Sequence, residues 1–282
     1  MADSSDLGPL PDYKNPPVVE TVLGVQFDRL RNLKNAHLGA FWKTLEAVKW
    51  PTVTDAPLLP DQFEHFDTTA RWAARGVQFQ LTQDAACRLQ IKNADGDRMI
   101  QVQNGRLHFN WLGEGDDYPR YAKVRDELAT ALRRFTQFVA DENLGSFRPN
   151  QWEVTYTNRI PQGTVWNTPN DWGFFRPLGG VPSVASVIEG ESFGGQWHFS
   201  IPPQRGRLHI AWQHSKSATD GNEKEAPELI RLTLTARGPI VASDDGIEPV
   251  LEGLDLGRAT IVRSFRDMMS VDANRYWGLK HA

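Results

Sequence analysis

Between Leu89 and Trp111 the chain alternates apolar and polar residues in three consecutive stretches. Asp95-Gly96 and Asn104-Gly105 separate them, and both dipeptides favour two-residue hairpin turns because their residues tolerate positive φ. Folding about the first turn sets Ile91 opposite Ile100 and Leu89 opposite Val102. Folding about the second sets Val102 opposite Leu107 and Ile100 opposite Phe109. A third turn near Asp84 sets Phe79 opposite Leu89 and Val77 opposite Ile91. The apolar residues then form continuous rows, which a one-residue slip would scatter. The pattern predicts a four-stranded antiparallel meander.

The period changes after the meander. Tyr121, Val124, Leu128, Leu132, Phe135 and Val139 recur at helical spacing and predict a long helix over the meander's apolar side. Asp117 is its expected cap, Pro119 fits its first turn and Gly145 its end. A strand over 18–27 precedes the meander, as does a helix carrying Leu38, Phe41, Trp42, Leu45 and Val48. PTVTDAPLLPDQ, residues 51–62, reads as a loop. The strand QWEVTYTNRI starts at Gln151, followed by a Gly/Pro/Trp-rich excursion to Pro182 and a short strand near Val187. A hairpin around PPQR joins 196–201 to 207–213, with Trp197 opposite Ile210 and Phe199 opposite Leu208. A polar loop over 215–228 leads to a strand with Ile230, Leu232, Leu234 and Ala236. Ile261, Phe265, Met268 and Val271 mark a last helix, closing at Trp277-Gly278.

A shift of 133 residues maps Glu20 onto Glu153, Leu128 onto Ile261, Leu132 onto Phe265, Phe135 onto Met268 and Gly145 onto Gly278. GRLHFNW from Gly105 instead resembles GRLHIAW from Gly206, at a shift of 101. The expected organisation is a flexible arm over 1–16 and an internal duplication with halves at 17–149 and 150–282. The fold class is α+β, two similar halves, each a mostly antiparallel sheet with helices on its apolar face, by analogy with helix-grip or saddle-like folds. The alternative is one continuous α+β sheet with accidental similarity.

Composition narrows the function. Lys and Arg number 31 against 35 Asp and Glu, a balance that argues against bulk affinity for nucleic acid or anionic membrane. The lone cysteine, Cys87, excludes an internal disulfide and a multi-cysteine zinc site. It faces Leu81 in the meander register, as a packing residue on the apolar side. No apolar run reaches the ~18 residues of a membrane span, and the acidic, Pro-rich N-terminus has no signal-peptide core. A cytoplasmic location is expected. GxxxxGKS/T, GxGxxG after a strand, HExxH and GxSxG are absent.

Candidate chemistry lies on the polar side of the strands. Arg88, Gln90, Gln101, Gln103, Arg106 and His108 share one side of the meander, and His198, Arg207, His209 and Arg231 the corresponding side of the second half. These amides, cations and imidazoles face water, form a recognition surface, or lie buried and satisfy one another. The aromatic residues fall on the other side, against a base-stacking RNA sheet. His198 and His209 oppose each other across their hairpin with His214 near in sequence, but no acidic or cysteine partner completes a metal set. Glu20 and Glu153 either converge for acid–base work or Mg²⁺, or each anchors a basic residue, with Arg159 and Arg231 in reach. Trp166 and Trp172 either cover the core or offer aromatic anchors to a partner.

Asn15-Pro16-Pro17-Val18-Val19-Glu20, Tyr118-Pro119-Arg120-Tyr121, Glu153-Val154-Thr155-Tyr156 and the final Trp277-Gly278 together resemble an uncharacterised, sporadically distributed bacterial family. The similarity spans nearly the whole chain, and order and spacing carry it. The family has no established activity and no catalytic residues to transfer. Its patchy distribution implies an accessory role, in a defence or toxin-control locus. The resulting expectation is a non-enzymatic binding protein without cofactor or membrane contact. Its partner is a macromolecule: first a protein encoded by a neighbouring gene, second a nucleic acid. The alternative is a metal-dependent enzyme on a phosphorylated or nucleotide-like substrate, with Arg88, Arg106, Arg207 and Arg231 on the anion and Glu20 and Glu153 on metal or water.

Overall fold

The computed structural model describes residues 9–60, 64–66, 87–113, 118–178, 193–216, 228–241 and 246–280. In chain order the elements are β1 (Asp12–Tyr13), β2 (Val18–Phe27), α1 (Asn35–Thr44), β3 (Thr52–Ala56), β4 (Arg88–Lys92), β5 (Arg98–Gln103), β6 (Arg106–Leu112) and α2 (Tyr121–Asp141). There follow β7 (Pro149–Pro161), two short 3₁₀ turns, β8 (Gly194–Ile201), β9 (Gly206–Lys216), β10 (Glu228–Pro239), α3 (Glu248–Met268), α4 (Val271–Tyr276) and β11 (Leu279–Lys280). The chain is α+β. Nine strands form one sheet in the order β3-β4-β5-β6-β2-β7-β10-β9-β8, and β1 pairs with β11. Every described pairing is antiparallel.

Turn chemistry sets the register. Ile91 faces Ile100, Leu89 faces Val102, Val102 faces Leu107 and Ile100 faces Phe109. Gly96 and Gly105 sit at φ of 77° and 96°, where a Cβ is costly. The hairpin after β8 has Trp197 opposite Ile210 and Phe199 opposite Leu208. The expected strand with Val77 and Phe79, the turn at Asp84, the partner Leu81 of Cys87, the cap Asp117 and the strand near Val187 lie outside the described residues. Beside β4 the sheet carries β3 instead of a loop, so Asp55 and Val53, and not the expected Phe79 and Val77, stand opposite Leu89 and Ile91. Thr52, Val53 and Thr54 are β-branched and pair with β4, so Pro51 and Pro57 bound an edge strand.

Helices cover one side of the sheet. α2 packs on β6, and α3 on β7 and β10. Leu23, Val25, Leu107, Phe109, Leu128, Leu132, Phe135, Val154, Leu234 and Ile261 are buried between them. Trp152 of β7 fills a notch made by Gly253 and Gly257 of α3 and Gly238 of β10, where a Cβ would collide with the indole. α2 and α3 cross where Arg125 forks onto Asp255 (2.9 Å to each oxygen) and Arg258 lies 5.0 Å from the Tyr121 ring centroid.

Helix ends depart from the sequence pattern. α2 starts after Arg120, at φ 69° and without a side-chain cap, so Pro119 precedes the helix. It ends at Asp141, and Asn143 takes the positive φ (52°) expected of Gly145. Leu45 is already extended after α1, which leaves Val48 89% exposed and off the apolar stripe. The last helix breaks at Met269, and the Ser270 hydroxyl caps α4, leaving Val271 61% exposed.

Candidate functional site

The pleat sends apolar residues toward α2 and α3 and polar ones to the opposite side. Arg159, Gln196 and Arg231 stay exposed, but solvation is not the fate of the rest. Gln101, Gln103, Arg106, His108, Asn110, Glu153 and Arg207 are all buried. Two networks, each ending on a carboxylate, satisfy most of them; Gln103 and Arg106 have partners of their own, Leu59 and Gln26.

The first is directional. Asn110 Nδ2 donates to Glu20 Oε1 (2.8 Å), which leaves Asn110 Oδ1 to accept from Gln101 Nε2 (2.8 Å). Gln101 Oε1 in turn accepts from Arg88 (2.7 Å) and Gln90 Nε2 (3.1 Å). An amide donates from one end and accepts at the other, so Asn and Gln can relay such a chain across neighbouring strands. Lys or Glu at the same positions would break its polarity.

The second network is charged. His108 lies over Gly24, where a Cβ would overlap its ring, and its Nε2 is 4.0 Å from Glu153 Oε1. Burial pushes the His108 pKa down to about 4, so the ring is neutral at pH 7. Burial would raise the Glu153 pKa, but the Arg237 guanidinium hydrogen-bonded to it holds it below the ordinary carboxylate value. Arg106 donates to Gln26. Arg237 also reaches Glu64 Oε1 (3.1 Å), and Glu64 meets Arg207 (3.3 Å) and His209 Nε2 (2.9 Å). His209 Nδ1 lies 2.8 Å from His198 Nδ1. Burial again opposes the Glu64 charge, but His209 and Arg237 outweigh it and hold the pKa at about 2.

Glu64 does not belong to the sheet. It sits on the chain following β3, whose described residues, 57–60 and 64–66, touch the polar side at widely separated strands. Gln103 of β5 donates to Leu59 O and accepts from Leu59 N, both at 2.9 Å, the pattern a neighbouring strand would offer. Gln151 of β7 accepts from Glu64 N (3.3 Å). Arg207 of β9 donates to His65 O (2.6 Å), and its guanidinium lies 5.4 Å from the Phe66 ring centroid. The polar side therefore holds a polypeptide segment through both main-chain and charged contacts.

Other expected site residues fall elsewhere. Glu20 pairs with Thr157, and Glu153 with Gly24, four positions along the same ladder. At about 3.4 Å per residue that is about 13 Å, so the two glutamates share no pocket and cannot hold one metal. Each has its own partner, Asn110 and Arg237. Among the described residues no group of three His, Cys, Asp or Glu is placed to hold a metal ion. Trp166 and Trp172 are buried, 6.0 Å apart and edge-on, so neither is a surface anchor. His214 packs with them on the helix side and bonds Glu228 (2.9 Å), away from the His198–His209 pair. Arg231 faces Arg159 at the opposite end of β10 from Arg237.

Sequence reasoning missed Glu64 and Arg237. Arg237 continues the alternation Arg231, Thr233, Thr235 and was legible there. Glu64 lies in a stretch without periodicity, which carries no signal for a non-local contact. Compared with known proteins, the chain matches no family model and no curated sequence. No described helix is long and apolar enough to cross a membrane.

Proposed function

We propose that the chain is a binding protein whose polar sheet side recognises an acidic segment of a protein partner, one encoded beside it in an accessory locus of the defence or toxin-control kind. One observation carries this reading: that side already holds polypeptide. Gln103 pairs with the main chain of Leu59, and Arg207, Arg237 and His209 converge on Glu64. Main-chain pairing supplies affinity and a charged pocket supplies selectivity, as in other modes of peptide recognition. The stretches 57–60 and 64–66 are on this reading a resident occupant that a partner displaces or imitates.

We read the sheet as two related halves that build this side jointly. β2 and β7 are neighbours at its centre. Outward from them each half continues with its last strand, β6 or β10, and then its hairpin strands. The shift of 133 carries Glu20 to Glu153 and Gly24 to Thr157, which exchanges the two observed pairs Glu20–Thr157 and Gly24–Glu153. It also carries Arg125 to Arg258, the two arginines at the helix crossing. GRLHFNW lies on β6 and GRLHIAW on β9, places that do not correspond in this order, so the shift of 101 is coincidence on this reading.

The test is recovery of a partner by the tagged full-length chain from its native host. The wild-type chain is expected to retain one stoichiometric protein. Gln103→Leu combined with Arg207→Leu, checked for fold by circular dichroism, loses it. Glu64→Gln, which loosens only the resident segment, recovers more of it. No stoichiometric protein, or one indifferent to both variants, overturns the reading.

A further inference from the structure

On the polar side of the β7–β10 ladder the opposed pairs are Glu153–Arg237, Thr155–Thr235, Thr157–Thr233 and Arg159–Arg231. The first joins opposite charges that are hydrogen-bonded. The last sets two exposed arginines at directly opposed positions, a like-charge pair that disfavours the sheet and that an anion between them would relieve. Among the described residues neither arginine side chain has a hydrogen-bond or ion-pair partner. Both line a pocket of about 970 Å³ together with Thr157, Glu20, Val19 and Gly113. Its size suits a small molecule. One wall is fixed by Arg159 N donating to Pro17 O (2.9 Å) and Gly113 N donating to Val19 O (2.9 Å). Glu20 lines the same pocket with Oε1 committed to Asn110, and Oε2 has no hydrogen-bond partner among the described residues.

We propose that this pocket binds a small phosphomonoester bearing hydroxyl groups, of the sugar-phosphate or nucleotide class. Arg159 and Arg231 take the phosphate as two forks, and Glu20 Oε2 accepts from a hydroxyl. The charge count selects the class. Two guanidiniums are matched by a phosphomonoester, which carries close to two negative charges at pH 7. A carboxylate or phosphodiester carries one and leaves the like-charge pair half neutralised. A ligand without hydroxyls would set its own negative charge near Glu20 with nothing in return. The site is separate from the Glu64 cluster, since Arg231 and Arg237 lie six positions apart on β10, about 20 Å. It stands whether or not the polar side binds a protein.

The experiment is calorimetric titration and thermal unfolding of the full-length protein at low salt with ribose 5-phosphate, AMP, ribose and a short oligo-dT. Ribose 5-phosphate and AMP are expected to bind and raise Tm, and ribose to do neither. Arg159→Ala combined with Arg231→Ala costs about tenfold or more in affinity, the worth of a charge-assisted hydrogen bond. Glu20→Gln weakens ribose 5-phosphate but not inorganic phosphate, titrated alongside, which loses a repelling charge and gains affinity if anything. Arg231→Ala alone raises the Tm of the unliganded protein at low salt, because it removes the opposed charge, so lost binding is distinguishable from lost fold. Absence of a Tm shift with both phosphomonoesters, a shift that survives the double substitution, or tighter binding of oligo-dT overturns the proposal.

Discussion

Replacing Glu64 by Gln keeps the side chain's shape and removes the charge on which Arg207, Arg237 and His209 converge. The cluster moves the Glu64 pKa from 4.5 to about 2. That difference corresponds to about 3 kcal/mol in favour of the ionised form. The Glu64 side chain remains 10% exposed, and solvent screening reduces the share it contributes to docking its segment to about 2 kcal/mol. Two kcal/mol is about 30-fold in the released population. Hydrogen exchange reads this directly, because Leu59 N–H and Glu64 N–H are bonded to Gln103 and Gln151. In Glu64→Gln at pH 7 both amides are expected to exchange about 30-fold faster, with the β5–β6 ladder unchanged. The sign with pH follows. The folded-state pKa is depressed, so the stabilisation is present above 4.5 and is lost as pH falls from 4.5 through about 2. Wild-type release therefore rises across that window, and the variant shows no such rise. Equal exchange in the two proteins, or acceleration of all sheet amides together, refutes the reasoning.

Further expectations concern the framework of the same side. His108, buried and with its pKa lowered from 6.5 to about 4, binds a proton in the unfolded chain before it does so in the folded one. Stability is expected to fall by about 3 kcal/mol as pH drops from 6.5 to 4, measured by urea unfolding; His108→Asn should flatten that slope, and an imidazole titrating near 6.5 by NMR would contradict it. Gly253→Ala drives a methyl group into the Trp152 indole and should cost about 1–3 kcal/mol in thermal unfolding; a loss under about 0.5 would mean that α3 shifts freely on β7. Asn110→Leu strands Gln101 Nε2 and Glu20 Oε1 in one step, an expected loss of about 2 kcal/mol, and Gln101→Leu added to it should cost less than it does alone.

How much of this was legible depends on the range of the interactions. Asp95-Gly96 and Asn104-Gly105 fix backbone φ locally, and the register from β4 to β6 follows from those four residues. The sidedness of the sheet was equally legible, because alternation with a period of two needs no knowledge of the partner strand. Burial of the polar side was not. Its resident segment contacts Gln103, Gln151 and Arg207, residues 44 to 142 positions away, and nothing in the pattern around Leu59 or Glu64 announces such contacts. β3 was hidden by its flanking prolines, although Thr52, Val53 and Thr54 favour a strand. The separation of Glu20 from Glu153 needed the antiparallel register of β2 on β7, which sets equivalent residues four positions apart. The break after α3 had a local signal, Ser270 as a cap, which helical spacing through Val271 overrode.

The polar side either binds polypeptide like the stretches 57–60 and 64–66 that lie on it or merely encloses them. A fluorescent peptide with the sequence of residues 57–66, PLLPDQFEHF, titrated into full-length Glu64→Gln separates the two. Saturable one-to-one binding is expected, weakened by salt and abolished by adding Arg207→Ala. The wild-type chain, its side already occupied, is expected to bind the peptide up to about 30-fold less tightly. No saturable binding to the variant, or equal affinity in the two proteins, contradicts the account.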